Sequence, residues 1–200
     1  MANNFVNSFA SIVTAGEFYQ SNASDTSTGP QTIYTANNGS SGVNSILIEL
    51  DAANTGTSGI TVSAFIQDTS ATLGSITSVV SSSDVATVTT GSAHGLKVGQ
   101  YVNVTGSSTN YVNGMYKVAS VPSTTTFTYA QNSSAANGTA AGTIVIYKAY
   151  HIVKDAPIPA SATLKVVAGQ KIVLNSNDKL IAYASAGTCD IVAGILQEVT

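Results

Sequence analysis

Two histidines, one cysteine and ten carboxylates are the side chains of this 200-residue chain best suited to acid–base, nucleophilic or metal chemistry. His94 precedes Gly95 at a bend, where an imidazole fixes a loop by bonding a turn carbonyl. A metal would ask for further donors close by, and neither a second histidine nor a cysteine is near. His151 falls inside a strand-like run and reads the same way. Cys189 lies between Thr188 and Asp190 in an alternating segment and reads as a small packed residue, with no partner for an internal disulfide. Glu49 with Asp51, or Asp178 with Asp190, would be the carboxylate pairs for sugar cleavage. That chemistry needs two acids across a groove, generally with aromatic platforms, and the chain has no tryptophan. Asp51, Asp68 and Asp155 are expected beside turns as loop caps, positions that also suit a calcium ion. There is no Gly-x-Ser-x-Gly elbow. Gly39-Ser40-Ser41-Gly42 and Gly56-Thr57-Ser58-Gly59 lack a following lysine and helix, so they read as turns and not phosphate cradles. The expectation is no catalytic, cofactor or metal residues, and no enzyme.

Charged residues make up only 8% of the chain, all seven basic residues are lysine, and the net charge is -3. The first lysine is Lys97. A phosphate backbone requires a clustered positive surface, so nucleic acid is excluded as a partner. The longest apolar runs, such as Ile144-Val145-Ile146-Tyr147, stop far short of the ~20 residues of a membrane-spanning helix. Met1-Ala2-Asn3-Asn4-Phe5 has neither the basic start nor the apolar stretch of a secretory leader. Solubility has to come from Ser, Thr, Asn and Gly.

Almost every apolar segment has period two. Ile60-Thr61-Val62-Ser63-Ala64-Phe65-Ile66 places Ile60, Val62, Ala64 and Ile66 on one face, and Asn- and Gly-rich turns separate similar runs. The fold class expected is all-β: an antiparallel sandwich or jelly-roll-like host, with a small β-barrel inserted in a hairpin. The host comprises residues 1–68 and 147–200, and the insert 69–146. Within the insert, strands are expected at 75–80, 85–89, 101–105, 115–121 and 126–129. A tight turn is expected at Asn113-Gly114, with sharp bends at Gly95 and Gly99. The strands on either side of the insert, 60–66 and 144–153, should lie side by side, with Gln67 close to Ala149. Residues 1–30 read as an N-terminal segment and loop. The first part is either a brief helix or extended arm anchored by Phe5 and Phe9, or a simple first strand. Pro157 and Pro159 bracket Ile158 in a stiff segment that blunts a sheet edge. Phe5, Phe9, Pro157 and Pro159 are the candidate assembly contacts.

Two resemblances attach to these residues. Met1-Ala2-Asn3-Asn4-Phe5, Thr32-Ile33-Tyr34-Thr35-Ala36, the run from Ile46 to Thr55, Val153-Lys154-Asp155-Ala156-Pro157-Ile158-Pro159 and the closing segment 191–199 resemble small structural proteins of tailed bacteriophages, especially cyanophages. The likeness covers most of 1–68 and 148–200, and in that family the second strand is followed directly by the strand before Val-Lys-Asp-Ala-Pro. The insert is similar to a small FCCH-like β-module common in phage virion proteins. The matching residues are 86–89, His94-Gly95-Leu96, Val98-Gly99, 113–118 and 125–129. Gln100 stands where that pattern has Asp.

The resemblance implies a non-enzymatic virion structural protein assembled in the host cytoplasm. Its partners would be other virion proteins (major capsid or neck and tail proteins) and further copies of itself, with a trimer among the open states. Capsid-surface decoration, or cement, is the favoured position. The alternative is a neck, collar, tail or fibre component whose insert binds a host receptor or glycan, with Tyr101, Tyr111, Tyr116 and Tyr129 as stacking faces.

Overall fold

The computed structural model describes residues 4–12, 30–36, 44–108, 112–131 and 138–199. Among these residues it contains fourteen strands and no α-helix. They are β1 Asn4–Ile12, β2 Gln31–Thr35, β3 Asn44–Asn54, β4 Ile60–Thr72, β5 Ile76–Ser82, β6 Val85–Thr90, β7 Tyr101–Ser107, β8 Gly114–Ser123, β9 Thr126–Ala130, β10 Gly138–Thr139, β11 Gly142–Ile158, β12 Thr163–Leu174, β13 Lys179–Ala184 and β14 Cys189–Val199. The all-β class follows directly from the period-two alternation. The chain forms two compact units, one built from β1, Gln31–Ser70 and Tyr150–Thr200, the other on Ala71–Ala149.

The first unit is an antiparallel β-sandwich. One sheet has the order β1-β14-β3-β12; the other runs β11-β4-β13-β2. Ile60, Val62 and Ala64 of β4 face Leu47, Leu50, Ile191 and Ile195 of the opposing sheet. Each fully buried Leu or Ile contributes about 2 kcal/mol over its exposed state. In β3 the alternation slips: Leu47 pairs with Ile195 and Glu49 with Gly194, leaving Ile48 as an extra residue. This bulge turns both Leu47 and Leu50 into the core, three positions apart.

Residues 4–12, open between arm, helix and strand on sequence, form an edge strand. All nine pair with β14, from Asn4 opposite Gln197 to Ile12 opposite Cys189. The reason is period two: Val6, Ser8, Ala10 and Ile12 are the more buried set, while Phe5, Asn7, Phe9 and Ser11 point out. Ser8 also donates its hydroxyl to the Ile33 carbonyl of β2, 2.5 Å away. The loop expected over residues 20–30 lies almost wholly outside the described residues.

The second unit has the sheet order β10-β5-β6-β9-β8-β7-β11 and its own core of Val79, Val88, Val102, Val104, Phe127, Tyr129 and Ile146 among others. Strands β5 to β9 fall within a few residues of the runs read from alternation. Gly95 and Gly99 take φ of 62° and 91°, the bends that their positions suggested. The tight turn at Asn113-Gly114 is not there. Gly114 opens β8 opposite Val104. Asn113 instead bonds back to Ser107, accepting its amide at 2.9 Å and donating to its carbonyl at 2.8 Å. The side chain closes a longer connection by imitating a backbone partner. Ser83-Asp84 makes a two-residue turn between Ser82 and Val85, both at positive φ (50° and 61°), the handedness that two-residue hairpins favour. Thr124-Thr125 makes another between Ser123 and Thr126.

The unit boundaries fall inside continuous strands, after Ser70 in β4 and before Tyr150 in β11, a few residues beyond the expected 69–146. Within the second unit the Leu73 amide donates to the Ile146 carbonyl at 3.0 Å. The first and last strands of that unit are therefore adjacent at this point. Replacing residues 74–145 by Asn-Gly is expected to leave a folded β-sandwich with one cooperative thermal transition. Circular dichroism of the shortened chain checks this, and loss of the transition would show that the first unit is not self-sufficient.

Candidate contact surface

The outward side chains of the β1 sheet form registered rows. Phe5 lies opposite Leu196, Leu196 opposite Ile46 and Ile46 opposite Val173, so one apolar row crosses all four strands. Phe5 and Phe9 are each 70% exposed and Val173 54%. A second row runs Phe9, Val192, Asp51, Lys165. There Lys165 bridges Glu49 (2.9 Å) and Asp51 (3.3 Å). The Lys165 ammonium holds the Glu49 carboxyl below its usual range, chiefly by that hydrogen bond. Lys165 is raised in turn, first by Glu49 and then by Asp51. Glu49 and Asp51 thus bind one lysine on an open face and do not flank a groove. Asp51 sits mid-strand, not beside a turn as its sequence suggested. It faces outward because β3 alternates.

Pro157 falls within the part of β11 that continues past its pairing with β7, which ends at Ala149, so this stretch forms a rim of the other sheet. Pro157, Ile158 and Pro159 line a shallow, open groove of about 430 Å³ with Gly59, Ile60, Thr61 and Ser185. Two of its lining residues, Ile158 and Pro159, are held by Asn54, which is 2% exposed and which the sequence reading did not single out. The Asn54 amide donates to the carbonyls of Ser58 (2.8 Å), Ile158 (3.2 Å) and Pro159 (3.0 Å), while its oxygen accepts the Gly56 amide (2.9 Å). One neutral side chain thereby ties its own turn, Gly56 to Ser58, to the distant segment at Ile158 and Pro159.

The strongest cluster of reactive types is structural in its geometry. Ser63 accepts the Asp155 amide (2.8 Å) and donates to the Asp155 carboxylate (3.2 Å). Tyr183 donates to the same oxygen (3.0 Å), and Lys154 pairs with the other. Asp155 sits at φ 49° inside β11, so these bonds hold a strand irregularity against β4. The hydrogen bond from Lys154 leads in pushing the Asp155 carboxyl below its ordinary 3.8, with Tyr183 and Ser63 adding to it against burial. Burial, with Lys154 second, lowers the His151 imidazole below 6.5.

The remaining candidates go elsewhere. His94 is buried edge-on to Phe127, centroids 5.2 Å apart. Its Nδ1 accepts the Leu96 amide at 3.0 Å, so the loop is fixed through an N–H and not the expected carbonyl. Asp178 caps a turn by accepting the amides of Asn175 (2.9 Å) and Thr69 (3.0 Å), whereas Asp190 accepts from Ser11 (2.6 Å). The two do not form a pair. Asp68 accepts from the Ser70 amide within β4. Cys189 is buried, and burial pushes its thiol up to about 11. Tyr116 and Tyr129 are stacked in the second core with centroids 4.0 Å apart, so they offer no open platform. Tyr101 is half-buried; Tyr111 and the glycines of 39–42 lie outside the described residues. Among the described residues no three His, Cys, Asp or Glu converge on a metal position, and no helix is long and apolar enough to cross a membrane.

Two outcomes follow from these bonds. Asn54→Ala strands several buried carbonyls and an amide, and is expected to lower stability by about 3 kcal/mol in urea denaturation. The pH dependence has a fixed sign. His151 is held neutral in the fold, so its contribution is complete above about pH 6.5 and is lost as the pH falls below it. Asp155 is held ionised, so its contribution is complete above about pH 3.8 and is lost as the pH falls through its lowered value. His151→Gln should flatten the fall in melting temperature between pH 6.5 and 5. Asp155→Asn should cost stability at pH 7 and lose that deficit in strong acid.

No family model, no curated protein and no solved structure matches this chain.

Proposed function

We propose that the chain is a non-enzymatic structural subunit of a tailed-phage virion, seated on the capsid surface as a decoration and held by contacts with the major capsid protein and further copies of itself. The observation that carries this reading is the apolar row Phe5, Leu196, Ile46 and Val173 on the outside of a sheet. In a chain with so few charges, an exposed registered row of this kind marks a surface made to be covered. The groove at Pro157 and Pro159 offers a second shallow face of the same character. The phage-like segments at 46–55 and 153–159 contribute to these same surfaces, which supports assigning the resemblance to assembly.

We read the second unit as a small barrel closed through residues 138–149. The Ala140 amide bonds Val79 on β5, and Ser108 donates to Ala141 just past β7, so one stretch of chain reaches both ends of the sheet. A glycan-binding role for this unit draws no support from Tyr116 and Tyr129, whose rings are in its core.

The test is compositional and then positional. Mass spectrometry of purified, washed particles should find the chain in many copies. Electron cryomicroscopy should place the β1 sheet against the major capsid protein. Particles complete without the chain, or density for it confined to the tail, would overturn the decoration reading.

A further inference from the structure

The four rims of the sandwich are not treated alike. The β11 rim carries Pro157, Lys154 and the irregular Asp155. The β12 rim carries Lys165 and Lys171 and two shifts of register against β3. The β2 rim is only five residues long, and its Ile33 carbonyl is taken by Ser8. Proline, lysine, bulges and shortness are the devices that keep sheet edges from pairing with other chains. β1 has none of them. Its nine residues pair with β14 without a break, include no charge and no proline, and leave the other side unpaired among the described residues.

We infer that β1 is the contact for a second copy of this chain, pairing antiparallel with its counterpart about a two-fold axis at Asn7. The two phenylalanines of this strand, Phe5 and Phe9, stand symmetrically about Asn7. In that register Phe5 stands opposite the other copy's Phe9 and Phe9 opposite its Phe5, while Val6 and Ser8 exchange places. An antiparallel two-fold normal to the sheet keeps both outer faces on one side, so all four exposed rings meet on one surface and two four-stranded sheets become one of eight. A strand that is its own complement makes an isologous contact, the commonest kind in homo-oligomers. No like charges oppose one another in it. The two rings, each 70% exposed, amount to roughly 300 Å² per copy at 150–250 Å² for a buried aromatic side chain. That is below the ~800 Å² per partner of a standard stable interface. The solution dimer is therefore reversible and dissociates on dilution, as suits a contact reinforced by repetition in an assembly. This inference deepens the structural reading above and is separable from it.

Sedimentation of the purified full chain over a wide concentration range is expected to show a monomer–dimer equilibrium. The variant carrying Phe5→Lys and Phe9→Lys should remain monomeric with an unchanged circular dichroism spectrum. Cysteine cross-linking fixes the register, since native Cys189 is buried. Asn7→Cys places two thiols on directly opposed residues, about 4.5–5.5 Å between Cα atoms, within reach of a disulfide. Ser11→Cys separates them by eight positions, roughly 26 Å. Under mild oxidation Asn7→Cys should give a covalent dimer and Ser11→Cys should not. A chain monomeric at every concentration, or Ser11→Cys cross-linking as readily as Asn7→Cys, overturns the inference, the first outcome meaning that β1 is covered by another part of the same chain or by a different partner. Either result leaves the virion reading intact. Dimers from a chain absent from particles would instead remove the virion reading and keep this one.

Discussion

The unpaired backbone at the rims of two stacked sheets is the constraint around which this molecule is arranged. A sandwich buries its side chains well but leaves amides and carbonyls exposed along each outer strand. Most proteins dress such rims with charge, and here charge is 8% of the sequence. Three of the four lysines of the first unit lie on these rims, Lys154 on β11 and Lys165 and Lys171 on β12, while Lys179 opens the interior strand β13. Pro157 and the irregularity at Asp155 finish the first rim, and brevity with the Ser8 bond finishes β2. Against that treatment, the bare length of β1 is a choice and not an oversight.

The same scarcity of charge explains the internal polar architecture. Where another chain would use ion pairs, this one uses amides and hydroxyls as spare backbone. Asn54 gathers three carbonyls, Asn113 pairs with Ser107 as a strand residue would, and Ser63 accepts the Asp155 backbone amide. Neutral bonds of this kind are not screened by salt, and buried ones are costly to break because the stranded partner has no water to turn to. Rigidity at the rims therefore comes from buried neutral hubs, while the outer faces are left free of strong fields.

Much of the fold was legible because alternation is a local signal. β4 to β9 and β12 to β14 each announce themselves by period two, and the insert expected over 69–146 can be set beside the second compact unit on Ala71–Ala149. What was not legible depended on residues far apart in the chain. Nothing near Asn54 says that residues 158 and 159 will come to it. The turn at Ser83-Asp84 lacks the Asn-Gly signature, whereas Asn113-Gly114 has that signature and turns no hairpin. Asp51 looks like a loop cap until β3 is seen to run through it. Phe5 and Phe9 were picked out as contacts by their type, but that they stand in register with Leu196 and Val192 follows only from the pairing of β1 with β14.

Register also bears on how a surface of this kind works. On a helix or loop two exposed phenylalanines are independent anchors, each free to find its own pocket. On a strand with β14 fixed beneath it, their spacing is locked at four residues, their side is locked by the inward packing of Val6, Ala10 and Ile12, and their partners are locked by the ladder. Ordering cost has already been met in folding, so a covering surface has only to match a fixed pattern. A rigid pattern of apolar side chains with open backbone beside it favours partners that are themselves strands, and it penalises any that cannot complete the ladder. Selectivity in such a contact comes from geometry and not from charge, which is the kind of selectivity available to a protein with no arginine and seven lysines.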